Sequence, residues 1–282
     1  MNNSERHIIT NLFSKKSMIA LLEEETNDKL KLLIASHLQE NGLTLSEAYE
    51  YLYKRLVKEY RNEYVYKNAI AEKIVKGRHK MANVAYFTEF RVRKSIADCV
   101  VVNGYSTAYE IKTEFDTFYR LKHQLQSYKQ VFEKVNIVVP ESKLLKLKKE
   151  VDDNIGILVL TDRYTFEEVQ QSSIHTDSLQ HDLVFGCLNK NEVFDIILTY
   201  FGELPQEKPA FVRNKCRKMF ETLPKEVVNF EFKKALKQRE NYSKNKETLS
   251  KFPNSLLSLI CTSNFSKQNC GIMLNRLEQQ LS

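Results

Sequence analysis

In the stretch Ala108-Tyr-Glu-Ile-Lys112 a glutamate and a lysine stand two residues apart, within a run that reads as an interior strand. Alternate residues of a strand share a face, so Glu110 and Lys112 point together while Tyr109 and Ile111 point the other way. Charges inside a protein are costly unless they are paired or put to use. Asp98 opens the preceding strand, Ile96-Ala-Asp-Cys-Val-Val-Val-Asn103, with Val100 and Val102 on its side. Asp98 and Glu110 meet across a hairpin only if paired residue numbers sum to 208, as Val102 and Ser106 do around Asn103-Gly104-Tyr105. A two-residue Asn103-Gly104 turn, the usual reading of that dipeptide, would set Asp98 opposite Tyr109 and send the carboxylates to different faces. Convergence of the two acids therefore requires a three-residue bulged loop.

Two carboxylates beside a lysine can hold Mg²⁺ or Mn²⁺ through hard oxygen ligands and leave positions for water and a phosphate oxygen. Asp98 and Glu110 are the metal ligands on this reading. Lys112 orients the attacking water or stabilises charge building on phosphorus. Phosphodiester hydrolysis is the natural use. Glu-x-Lys also occurs at Glu141-Ser-Lys143 and Glu231-Phe-Lys233, in helical contexts that carry no such meaning. The first copy differs by its strand, by an aspartate twelve residues upstream and by the helix that follows. That helix is expected over Thr117–Glu133, with Phe118, Leu121, Leu125 and Phe132 as its buried stripe. Arg120, Gln124 and Tyr128 recur at steps of four and could line one groove as substrate-binding residues. The plainer account makes them a polar boundary with Tyr128 half buried. Asp116 reads as the N-cap of this helix, and His123, about 100° around from Gln124, reads as exposed.

Around these residues the pattern predicts an α/β fold. Residues 1–76 read as helical: Leu45, Tyr49, Leu52, Leu56 and Tyr60 form one stripe, and a second helix runs from Asn62 to Val75 and stops at Gly77. Short β-rich runs follow at Tyr86–Val92, Ala97–Val102, Thr107–Lys112, Asn136–Val139 and Ile155–Leu160, with a basic helix at Ser142–Val151. The order is αβββαβ. The long connection between the third and fourth strands is a crossover and favours parallel pairing, giving a mixed sheet. From Thr161 onward the chain reads as helices and loops with no strand series. This gives a helical N-terminal extension over 1–60, a core over 61–165 and a mainly helical C-terminal region over 166–282. The basic part of that region, FVRNKCRKMF through FEFKKALKQRENYSKNK, could touch nucleic acid, although lysines along a helix are more often a solvated face. Residues 240–254 read as a loose linker.

Taken together, Asp98, Glu110-Ile-Lys112 and Gln124-Leu-Gln-Ser-Tyr128 resemble the PD-(D/E)XK nuclease superfamily, in particular its RecB-like branch with a Gln-xxx-Tyr helix. The match covers roughly residues 60–165. The run Thr88-Glu-Phe-Arg-Val, Ile96-Ala-Asp98, Tyr109-Glu-Ile-Lys112, Asp116 and Arg120-Leu121 also resembles a largely uncharacterised bacterial and phage family of nuclease-like proteins. The resemblance implies a restriction-endonuclease-like core, metal held by Asp98 and Glu110, and Lys112 serving the water. It also implies that Gln124, with Tyr128 and Arg120, positions the scissile phosphate. Ala97 stands where the motif has proline. The superfamily usually adds a glutamate from the first core helix. Glu63 is taken for that place as a further catalytic residue, with Glu72 and Glu89 as alternatives. DNA is favoured over RNA as substrate, in DNA repair or in conflict between bacteria and phages.

The bulk numbers set the frame. At 282 residues the chain can bury a sizeable core. Its net charge of +7 suits a polyanionic partner, though spread over this length it is a mild bias. Five scattered cysteines without a Cys-x-x-Cys pair point to reduced, structural thiols. The opening MNNSERHIITNL lacks the pattern of a signal peptide, and no apolar run approaches the roughly 20 residues of a membrane helix. A cytoplasmic protein without membrane contact is expected. The competing function is a catalytically silent nucleic-acid-binding or partner-binding module in which Glu110 and Lys112 are only a structural ion pair.

Overall fold

A computed structural model describes residues 1–38, 42–78, 84–239 and 249–281. Its contacts divide the chain into two units, one of residues 1–82, 160–166 and 240–282, the other of residues 83–159 and 167–239. The linear division at 60 and 165 gives way to an interleaved one.

The first unit is helical. Its opening helices are α1 (Asn3–Leu12), α2 (Lys15–Ala20), α3 (Glu24–Ala35) and α4 (Leu45–Glu59). Thr44 caps α4 in a capping box with Glu47, which satisfies two amides that a helix start leaves open. The expected stripe is buried at Leu45, Tyr49, Leu52 and Leu56. The expected second helix is α5 (Glu63–Ala69), capped by Asn62. Instead of stopping at Gly77, it continues as a π-helical stretch over Ile70–Arg78. The chain end contributes α12 (Leu257–Thr262) and α13 (Lys267–Leu277). Thr44 bridges Gln280, and the Leu281 amide donates to the Leu43 carbonyl at 2.9 Å. That closure puts the two chain ends in one unit. Of the expected linker, residues 240–248 lie outside the described residues, and Asn254–Leu256 form a turn of 3-10 helix.

The second unit carries the mixed sheet. Its strands are β1 (Ala85–Val92), β2 (Ser95–Asn103), β3 (Tyr105–Ile111), β4 (Lys134–Val139), β5 (Gly156–Leu160) and β6 (Phe166–Gln170), adjacent in that order. β1, β2 and β3 pair antiparallel, whereas β3–β4 and β4–β5 are parallel, as the crossover requires. β6 corrects the reading that strands end near Leu160: its run Phe-Glu-Glu-Val-Gln is half-buried or exposed and lacks the apolar signature that marked the others. The crossover helix α6 runs only from Leu121 to Lys129, and α7 spans Glu141–Leu147. The helices α8 (His181–Cys187), α9 (Lys190–Phe201), α10 (Pro209–Phe220) and α11 (Lys225–Gln238) complete the unit.

One apolar cluster joins Val100, Val102 and Ala108 of the sheet to Leu125 and Tyr128 of α6 and to Phe185, Phe220 and Phe232 of the later helices. Residues 167–239 therefore supply a wall of the sheet's own core, not a separate C-terminal region. All five cysteines are free thiols, as expected, and burial pushes the Cys187 thiol up to about 12. Among the described residues no helix is long and apolar enough to cross a membrane.

Candidate functional site

The β2–β3 hairpin has the register that brings the acids onto one face. Cys99 pairs with Tyr109, Val100 with Ala108 and Val102 with Ser106, so each pair sums to 208. Gly104 sits at the apex with φ 71°, a left-handed conformation that glycine adopts without strain. The turn is held from outside the hairpin. Lys233 on α11 donates to the Gly104 carbonyl at 3.0 Å and pairs with the buried Glu133 at 3.0 Å. Glu133 also accepts from the Ser106 amide at 2.7 Å and from Asn229 at 2.9 Å. Glu231-Phe-Lys233, dismissed as a chance copy of the tripeptide, thus supplies the lysine that anchors the hairpin.

At the open end of the hairpin the same register places Asp98 opposite Glu110. Backbone pairing stops at Cys99 and Tyr109, and Asp98 Oδ2 accepts the next amide, that of Ile111, at 2.6 Å. Lys112 lies one residue past β3, where its amide donates to the Val138 carbonyl at 2.9 Å.

Glu110 is 1% exposed, and an isolated carboxylate there would cost several kcal/mol. Lys112 Nζ pairs with its Oε1 at 2.6 Å and donates to Gln124 Oε1 at 3.3 Å. The Tyr128 hydroxyl lies 2.8 Å from Glu110 Oε2 and 2.6 Å from the Ile96 carbonyl. Glu110, Lys112, Gln124 and Tyr128 therefore form one polar network. Tyr128 is fully buried, not half-buried as the plainer account had it. Burial raises the Glu110 carboxyl above its ordinary value, against the lowering effect of the Lys112 charge and the Tyr128 hydrogen bond. The Tyr128 hydroxyl is raised first by burial, then by Glu110, and further by Asp98. Asp98 and Glu110 thus act on one hydroxyl. That hydroxyl has a single proton for two acceptors.

A third acid reaches this face from β1. Thr88 pairs with Cys99 and Phe90 with Ala97, which leaves Glu89 opposite Asp98. Glu89 adopts φ 53°, a conformation that costs a residue with a side chain roughly 1–3 kcal/mol and often marks functional positions. Carboxylate oxygens of Glu89 and Asp98 lie within 4.8 Å of each other. Sequence reasoning had Glu89 only as an alternative. Alternation along β1 could not decide the matter, because the positive φ interrupts it.

Glu63 and Glu72 belong to the first unit, and Asp116, Arg120 and His123 to the second. Glu63 opens α5 in the first unit and pairs with Lys67 at 2.5 Å, and Glu72, in the π-helical stretch, pairs with Lys73 at 2.7 Å. Arg120 is exposed at the N-cap of α6, outside the Glu110 network. Asp116 does not cap α6, because the helix begins five residues later. Its Oδ2 accepts instead from the Thr113 amide at 2.8 Å and hydroxyl at 2.7 Å, closing a turn in the loop after Lys112. His123 is exposed, as expected. It lines a cavity of about 390 Å³ with Val92, Lys94 and Ser127, and none of the network residues borders that space.

The model of one protein family, Bacteriophage P4 protein cII, matches residues 57–258. The chain belongs to the bacteriophage P4 protein cII family. Protein cII of Enterobacteria phage P4 is 31% identical over 118 residues, which cover 39% of this chain and 44% of that protein. The chain thus spans less than half the length of this curated relative. Among solved structures, a protein of unknown function from Silicibacter pomeroyi is similar with a TM-score of 0.31 at 16% identity, over 38% of this chain and 68% of that one. In this member of the P4 cII family the sheet unit brings carboxylate oxygens of Glu89 and Asp98 within 4.8 Å of each other, with the Glu110–Lys112 pair on the strand next to Asp98. A donor set of that kind suits a hard divalent cation.

Proposed function

We propose that this protein is a metal-dependent nuclease of the PD-(D/E)XK type, acting in the cytoplasm on DNA in preference to RNA. The observation that carries the reading is the 208 register of β2 and β3, which sets Asp98 opposite Glu110 with Lys112 two residues on. A two-residue turn would have separated them.

Asp98, Glu110 and the adjacent Glu89 would hold Mg²⁺ or Mn²⁺. When bound, the ion supplies a Lewis acid that makes a ligated water nucleophilic near neutral pH. Lys112, held by Glu110 and Gln124, places a positive charge where the pentavalent phosphorus gathers negative charge. Gln124 and Tyr128 fix the orientation of the Lys112–Glu110 pair, and Gln124 is the residue of that network that can also reach toward a phosphate. A role in conflict between bacteria and phages or in DNA repair is the setting that the phage family and the resemblance to phage and bacterial nucleases support.

A second reading is favoured by one specific observation: Glu110 is 1% exposed and both of its oxygens are hydrogen-bonded within the protein. On that reading the pair is structural, and the protein binds nucleic acid or a protein partner without cutting. The deciding experiment incubates wild type and Lys112→Ala with linear, circular and single-stranded DNA and with RNA, in Mg²⁺, Mn²⁺ or EDTA. The nuclease reading expects cleavage that EDTA abolishes and that Lys112→Ala lowers by about 10²-fold or more. Cleavage unchanged in Lys112→Ala would remove the site assignment, and an intact substrate in every lane would leave the binding module.

A further inference from the structure

The loop between Lys112 and α6 presents large aromatic rings to solvent. Phe115 is 62% exposed and Tyr119 is 94% exposed, and Leu145 on the neighbouring α7 is 79% exposed. Such side chains are usually scattered singly over a surface. Here Phe115 and Tyr119 flank Phe118 on one loop, and Phe118 meets two lysines of α7, the helix that carries Leu145. Phe118, between the two exposed rings, lies under the amines of Lys143 and Lys146 at 5.6 and 5.7 Å from its centroid. Lys143 also donates to the Asp116 carbonyl. The loop is shaped in advance: Asp116 closes it onto Thr113, and the Phe115 amide donates to the Thr113 hydroxyl at 3.3 Å. A braced loop with two exposed aromatic rings, and with lysines held over the Phe118 ring between them in sequence, has the elements of a base-stacking platform. The rings take the π-faces of unpaired bases, and the amines take the phosphates between them.

We propose that Phe115 and Tyr119, with Lys143 and Lys146, bind single-stranded nucleic acid and lead it toward Lys112. The inference rests on the nuclease reading for its direction and adds the substrate class: a strand with unpaired bases, such as a single strand or a frayed end. Stacked bases in a duplex have no free faces to offer, so the platform discriminates against intact double strands. A protein partner would use the same apolar surface without needing the phosphates.

The test is fluorescence anisotropy with a 5′-labelled 20-nucleotide oligothymidylate and with a blunt duplex of the same length. It is run in EDTA so that no cleavage intervenes, on the full chain and on the Phe115→Ala/Tyr119→Ala and Lys143→Gln/Lys146→Gln variants. Circular dichroism confirms that each is folded. The single strand should bind more tightly than the duplex. The aromatic variant should lose about tenfold or more of single-strand affinity with duplex binding little changed, and the lysine variant should lose affinity with a shallower salt dependence. Binding in EDTA does not depend on cleavage, so it is read even if hydrolysis is disproved. Equal single-strand affinity in the aromatic variant, tighter binding of the duplex, or no oligonucleotide binding at all would overturn the proposal, the last in favour of a protein partner.

Discussion

Glu110 decides what this site is, because a carboxylate that is 1% exposed is tolerated only through its partners. Its proton binds more tightly in the fold than in the unfolded chain, where the midpoint is near 4.5. The fold therefore loses stability from this group as pH rises from 4.5 through the raised midpoint, and regains it as pH falls back. Carboxyl ¹³C titration should place the Glu110 midpoint above 4.5. Tyr128→Phe, which removes a hydrogen bond favouring the charged form, should move it higher still. An ordinary midpoint in wild type would show the carboxyl to be solvated. At this scale the sequence was informative: Asp98, Glu110, Lys112, Gln124 and Tyr128 could all be named from residue types and spacing, and the structure joins four of them by hydrogen bonds. Glu89 could not be preferred, because its left-handed backbone is invisible in a string of letters.

At the scale of elements, the hairpin register is the feature on which the acids depend, and local rules pointed the wrong way. Asn103-Gly104 reads as a two-residue turn. The longer loop is held by Lys233 and Glu133, which lie far along the chain, so no short-range pattern could reveal it. The start of α6 was missed for a related reason: Asp116 has the chemistry of a helix cap, but its carboxylate is taken by Thr113. β4 and β5 are parallel strands pressed together at Asn136 and Gly156. A Cβ on Gly156 would fall 1.7 Å from Asn136 Oδ1 and 3.1 Å from Ser172 Cβ. Gly156→Ala should therefore destabilise by about 1–3 kcal/mol in urea denaturation, although removing a glycine restricts the unfolded chain and by itself favours folding by up to about 1 kcal/mol. A neutral or stabilising result would mean that Asn136 swings away without loss.

For the whole molecule, the α/β class and the mixed sheet were legible, since strand-like runs and a crossover need only local periodicity. The division into units was not. It depends on segments far apart in sequence, such as Thr44 and Gln280. A chain ending at Arg239 loses the segment that closes the helical unit. Hydrogen exchange should then show α4 amides losing protection while β2, β3 and β4 keep theirs, and unchanged protection of α4 would contradict this organisation. The charge of +7 fits a polyanionic substrate but could not have named one.

Hydrolysis at the paired acids is the central proposal. The direct measurement is the initial rate of DNA cleavage in Mg²⁺ by wild type and by Asp98→Asn, with folding of both verified by circular dichroism. Cleavage by wild type, with the variant slowed by about 10²-fold or more, is the predicted result. No cleavage by wild type, or an undiminished rate in Asp98→Asn, would contradict it.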